Sequence, residues 1–229
     1  MHEPADYQQR AQWLADEYMN VERSLQAHGI SSTVVVFGSS RAAELEGGEA
    51  HRWYEEARLL GRIVSKRGGA MNPVNGVSHN VIATGGGPGL MEAANRGALE
   101  AGAPSIGFNI ELPHSQAANR FTTPELSFTF HYFAIRKMHL VIRAAALVVF
   151  PGGFGTLDEL FEILTLIQTG KTPRVPVVCV DRAFWQRTAN IEYLAQAGLL
   201  DPHEREFVRY AETAEQVWEL IEGEICRKA

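Results

Sequence analysis

The 229-residue sequence carries only two cysteines, Cys179 and Cys226, far apart and at no metal-ligand spacing. A disulfide framework and a cysteine-based zinc site are therefore excluded, and a reducing compartment is the expectation. No apolar run reaches the roughly 18 residues that a membrane-spanning helix needs. The opening residues, Met1-His-Glu-Pro-Ala-Asp6, lack the basic-then-apolar pattern of a signal peptide, so a soluble cytoplasmic protein is expected. Basic residues are few: 21 Lys and Arg stand against 27 Asp and Glu, giving a net charge of -6. That balance argues against a nucleic-acid partner and against a membrane surface, while leaving room for a local basic pocket. The eight histidines show no metal spacing. There is no G-x-x-x-x-G-K-[ST] phosphate loop, no G-x-S-x-G elbow and no Cys/His nucleophile arrangement, so covalent catalysis is disfavoured.

What remains is a regular alternation of apolar runs and amphipathic segments, without a linker. Tyr18, Val21 and Leu25 mark a polar helix over residues 5–28, which ends at Gly29. We treat residues 1–30 as an N-terminal helical extension and 31–229 as the main domain. Strands are read at 33–37, 81–84, 105–108, 126–131, 146–150, 175–180 and, at an edge, 207–210. Helices are read at 49–66, 90–101, 133–144, from Leu157 onward, 183–197 and 214–222. Residues 67–79, rich in Gly, Pro and Asn, read as an insertion or flexible flap. Strands that alternate with helices imply an α/β fold: a Rossmann-like, doubly wound parallel sheet with helices on both faces, in a single domain.

Two glycine loops follow strands in this pattern. Gly85-Gly86-Gly87-Pro88-Gly89 follows the second strand, and Pro151-Gly152-Gly153-Phe154-Gly155 follows the buried run Ala146–Phe150. Glycines let a backbone approach an anion, and a helix N-terminus offers unpaired N–H groups and its dipole. In open α/β sheets ligands bind outside the carboxyl ends of the strands, where both loops lie. Tight turns and close helix packing explain either loop alone equally well. Two loops together point to an anionic ligand. Neither fits G-x-G-x-x-G, and no acid ends the following strand, which disfavours a dinucleotide. A mononucleotide or sugar phosphate fits better.

Few charged residues are placed for chemistry. Glu159 lies just inside the helix after the second loop. Thr156-Leu-Asp-Glu159 has the spacing of a capping box, in which Glu159 bonds back to the helix start. The same carboxylate is placed to bind ribose hydroxyls or to stabilise an oxocarbenium-like transition state. Arg136, His139 and Arg143 share one face of helix 133–144, as a solvated basic face would. Lys137 falls on the apolar stripe with Phe133, Leu140 and Val141, where a charge must be paired or reach a pocket. Arg41, after the first strand, is a candidate phosphate or base contact, with an ordinary surface arginine as the alternative.

The segment Pro151-Gly-Gly-Phe-Gly-Thr-Leu-Asp-Glu159 resembles the PGGxGTxxE signature of the LONELY GUY (LOG) proteins, often labelled lysine decarboxylases. Gly38-Ser-Ser-Arg41, Thr84–Gly97, Gly107–His114 and Tyr132–Met138 are similar to other segments of that family, so the resemblance covers roughly residues 33–222. Ser115 stands where an acidic residue is expected. The resemblance implies hydrolysis of the N-glycosidic bond of nucleoside 5′-monophosphates, AMP or N6-substituted AMP, to free base and ribose 5-phosphate, by a homodimer or larger assembly. It implies Arg136 and Glu159 as the catalytic pair. Ser39, Arg41, Gly86, Gly87, Lys137, Gly152, Gly153, Gly155 and Thr156 are the implied substrate contacts, with no metal and no cofactor. The alternative is a non-catalytic nucleotide- or molybdenum-cofactor-binding carrier on the same fold.

Overall fold

A computed structural model describes residues 7–42, 48–112 and 119–226. Ser115 lies outside them. The chain runs α1 (Tyr7–Ala27), β1 (Thr33–Phe37), α2 (Gly48–Arg67), β2 (Val81–Thr84), α3 (Leu90–Glu100), β3 (Ser105–Ile110) and β4 (Ser127–Phe130). It continues through α4 (Phe133–Ile142), β5 (Ala144–Val149), α5 (Phe154–Gln168), β6 (Val177–Val180), α6 (Arg182–Thr188), α7 (Ile191–Gln196), β7 (Val208–Ala211) and α8 (Ala214–Ile225). All seven strands are parallel, in the order β4-β3-β2-β1-β5-β6-β7. The chain winds outward from β1 to β4, then returns to β5 on the other side of β1. The crevice between β1 and β5 is thus the switch point of the sheet.

The central strands feed two cores, because successive side chains point to opposite faces. Val35 and Phe37 join Val21, Leu25, Leu140, Leu160, Ile163 and Trp185 on the side of α1 and α4–α7. Val34 and Val36 join Tyr54, Leu60, Leu90, Ala94, Val217 and Ile221 on the side of α2, α3 and α8. Helices cover both faces of the sheet. Cys179 is buried in β6, Cys226 is exposed, and both are free thiols.

Three local expectations are corrected. Residues 183–197 form two helices, not one. Asn190 interrupts them and caps α7 by accepting from the Tyr193 N–H, since an Asn side chain competes well for helix-starting N–H groups. Residues 67–79 are no free flap. Ser78 N–H donates to the Gly29 carbonyl at 2.9 Å, and Ser31 N–H to the Ser78 carbonyl at 3.0 Å. This ties the segment to the amino ends of β1 and β2, away from the glycine loops. The polar side of α4 is no solvated basic face: Arg136 and His139 are buried, while Met138 and Ile142 are exposed.

Candidate active site

The switch-point crevice is a cleft of about 590 Å³. Its floor comes from Phe37 and the loop Gly38–Arg41, and its wall from the first turns of α5. Main-chain bonds join these parts. Ser39 N–H donates to the Pro151 carbonyl at 3.0 Å, Leu90 N–H to the Ser39 carbonyl at 3.1 Å, and Phe150 N–H to the Phe37 carbonyl at 2.9 Å. The loops after β1, β2 and β5 are therefore one backbone unit. These three N–H groups each find a carbonyl, and buried peptide groups need such a partner.

Helix α5 starts at Phe154, capped by Gly153 with no side-chain bond. Thr156 sits inside the first turn, and Glu159 does not reach back to the helix start. The capping box expected at Thr156–Glu159 is not formed, because the helix begins ahead of Thr156 and the carboxylate has a stronger partner. Glu159 Oε1 accepts from Arg136 Nη1 at 2.9 Å. Arg136 Nε donates to the Phe108 carbonyl at 2.7 Å. Both side chains are about nine-tenths buried. Burial raises Glu159 above the ordinary carboxylate pKa, against the pull of the Arg136 and Lys137 charges. Burial likewise lowers Arg136, against the pull of Glu159. A guanidinium starts so basic that it keeps its proton, so Glu159 faces a permanent positive charge.

The residues singled out in the sequence divide into two groups. Ser39, Arg41, Arg136, Gly153, Gly155, Thr156 and Glu159 line the cleft together. Gly86, Gly87, Gly152 and Lys137 do not. Gly86 N–H donates to Thr84 Oγ1 at 3.0 Å, and its carbonyl accepts from Asn119 N–H at 2.9 Å. The Gly87 carbonyl accepts from Asn119 Nδ2 at 3.2 Å. This loop lies beneath Arg136: a Cβ on Gly85 would stand 2.5 Å from Arg136 Nη2. Gly152 backs onto Thr156, whose Oγ1 a Cβ there would meet at 2.1 Å. Lys137 Nζ is held by Asp158 at 2.8 Å and Glu162 at 2.7 Å. Burial opposes its charge, but these carboxylates carry its pKa above the ordinary lysine value.

Sequence reasoning missed the apolar part of the lining, Met91, Phe133 and Phe154, and the Phe108 carbonyl that fixes Arg136. A carbonyl contact leaves no side-chain signal. It also missed a buried polar chain under the loop: Thr84 Oγ1 donates to Asn95 Oδ1 at 2.7 Å, and Asn119 Nδ2 to the same oxygen at 3.1 Å. Asn95 stands among Ala93, Ala94 and Ala98 on the apolar side of α3, and that misplaced amide was a readable signal.

Fold and site together define a Rossmann-like α/β protein with a helix N-terminus that no side chain caps and a buried arginine–glutamate pair at its switch point. The chain belongs to the LOG family: the family model described as "possible lysine decarboxylase" matches residues 91–221. It is 30% identical over 88 residues, 38% of this chain and 42% of the relative, to the probable cytokinin riboside 5′-monophosphate phosphoribohydrolase LOGL3 of Oryza sativa subsp. japonica. It is 27% identical over 146 residues, 62% of this chain and 67% of the relative, to the cytokinin riboside 5′-monophosphate phosphoribohydrolase LOG2 of Arabidopsis thaliana. The match spans about two fifths of the length of LOGL3 and of the Arabidopsis thaliana relative LOG3. Among solved structures, a structural-genomics target, TM1055, aligns with TM-score 0.60 and 25% identity over 84% of this chain and 99% of its own. A molybdenum cofactor binding protein from Rippkaea orientalis shares the fold, with TM-score 0.56 at 21% identity over 84% of this chain and 96% of its own.

Proposed function

We propose that this protein hydrolyses the N-glycosidic bond of nucleoside 5′-monophosphates, releasing the free base and ribose 5-phosphate. The observation that carries the reading is the buried Arg136–Glu159 pair, set one turn inside the helix whose open N-terminus faces the same cleft. The N–H groups of that first turn and the Arg41 side chain suit a 5′-phosphate. Holding the phosphate there brings the sugar toward Glu159. As the C1′–N bond breaks, positive charge grows at C1′, and a carboxylate beside it lowers the barrier. Water adds its oxygen to C1′, and the departing base takes the proton. Arg136 opposes the rise that burial imposes on the Glu159 pKa and fixes where Oε1 points. A lysine decarboxylase instead needs a lysine free to form a Schiff base, with a lowered pKa. Lys137, held by two carboxylates, is the opposite case.

The reading includes a homodimer or larger assembly, a substrate preference for AMP or N6-substituted AMP, and a cytoplasmic setting. Support for assembly comes from apolar side chains left exposed on α4 and α5, Met138, Ile142, Phe154 and Phe161. Among the described residues no helix is long and apolar enough to cross a membrane.

The test is a panel of purified nucleoside monophosphates and nucleosides, with released bases read by chromatography. Base release from monophosphates and not from nucleosides is expected. In Glu159→Gln that release should fall by about a hundredfold or more. Tight binding of monophosphates with no base release would favour the carrier reading, and full activity in Glu159→Gln would remove the carboxylate from the reaction.

A further inference from the structure

We infer that α1, the helix ahead of the first strand, is a positioning element for the Arg136 guanidinium, acting through a stack of rings and one ion-pair cluster. Four rings run in series from α1 into the sheet. Tyr18 stacks on His139 with centroids 5.0 Å apart and planes 25° apart. His139 stacks on Phe108 at 6.1 Å and 20°. Phe108 stacks on Phe128 at 5.8 Å and 20°. The residue in the middle of this stack, Phe108, is the one whose carbonyl accepts from Arg136 Nε at 2.7 Å. His139 lies on α4, one turn past Arg136. The stack thus meets both ends of the bond that orients the guanidinium: the carbonyl on β3 and the helix carrying the side chain.

The ion-pair cluster fixes the same geometry from the other side. Glu22 on α1 accepts from Arg143 Nη1 and Nη2, both at 2.7 Å, and its Oε1 lies 3.4 Å from His139 Nδ1. Glu22 and Arg143 are each 13% exposed, so this fork is shielded and geometrically strict. Elsewhere on α1, Glu17 Oε1 accepts from the His131 N–H at 2.9 Å, and Ser24 Oγ donates to the Glu125 carbonyl at 3.1 Å. The helix therefore grips both ends of β4 as well as α4. Val21 and Leu25 are buried in the same core as Phe108 and Leu140. A helix serving only as a cover needs the apolar contacts. The fork, the stack and the shared carbonyl are what a positioning role adds.

The inference rests on Arg136 belonging to the working site, but it can be read without turnover. Arg136 Nε–H, buried and bonded to a carbonyl, should give a slowly exchanging NMR signal, assigned by its loss in Arg136→Lys. In Tyr18→Ala and in Glu22→Ala that signal should shift, and its exchange should quicken by about tenfold, one ring contact or ion pair being removed. Tyr18→Phe keeps the ring and should restore the parent signal. With an active enzyme, the two alanine variants should lower kcat and leave KM within about twofold, since the phosphate end of the cleft is untouched. An unchanged Arg136 signal in both alanine variants would overturn the inference, even in an active enzyme. Absence of base release by the parent, with the signal responding as described, would sink the hydrolase reading and leave the positioning role standing.

Discussion

At the scale of single residues, the molecule concentrates unusual chemistry in a few buried ionisable groups. His139 is the clearest. It is 1% exposed, and burial pushes its pKa down to about 4, against the pull of Glu22. An unfolded histidine titrates near 6.5, so the unfolded chain binds the proton first and stability falls as pH drops from about 6.5 to about 4. That difference corresponds to on the order of 3 kcal/mol. Urea midpoints measured across that range should fall for the parent, and His139→Phe, which keeps a flat ring in the stack, should flatten the slope. Glu159 shifts the other way, upward through burial. The proposed reaction needs its carboxylate ionised, so the acid limb of kcat/KM should have its midpoint above the ordinary carboxylate value of 4.5. A midpoint at or below that value would mean that the burial effect is cancelled by Arg136.

At the scale of elements, α2 and α3 meet through two glycines facing each other's backbone. A Cβ at Gly61 would fall 2.1 Å from the Ala94 carbonyl oxygen, and one at Gly97 only 1.9 Å from that of Arg58. Backbone cannot step aside as a side chain does. Gly97→Ala should therefore push the helices apart and lower stability by about 1–3 kcal/mol in urea unfolding, with Arg136 and Glu159 undisturbed. The sequence disclosed the elements well, because apolar runs and helical spacing are local facts. All seven strands and the helix around Arg136 were legible that way. It misjudged polarity on α4, since what buries His139 is α1, more than a hundred residues earlier in the chain, and what encloses Arg136 is the Gly85 loop, Phe108 and Glu159. No periodicity within α4 records that cover. It also placed the start of α5 at Thr156, where local capping preference pointed, whereas the glycines of the loop let the helix begin at Phe154. Glu159 was found for its type and position, but its partnership with Arg136 is a tertiary fact that spacing could not contain.

At the scale of the whole molecule, the candidate site lies at the sheet's carboxyl end, and α4 and α5 leave apolar side chains exposed. If copies associate there, as proposed, the association should depend on the outer face of α4. Sedimentation of Met138→Asp and Ile142→Asp should then show a shift toward monomer, with the unfolding midpoint of the monomer close to that of the parent, since both side chains are exposed in one copy. Unchanged sedimentation in both would move any interface elsewhere.

One feature has a reach beyond this chemistry. Among the described residues, the three loops under the cleft are bound to each other by peptide N–H and carbonyl groups, and not by the side chains they display. Arg41, Met91, Phe133 and Phe154 line the cavity without holding it up. Identity at those positions is thereby uncoupled from the shape of the platform. Such a frame can change its guest by point substitution and still fold, which makes it evolvable. Randomising Met91, Phe133 and Phe154 is the natural way to retrain the proposed site for a different base.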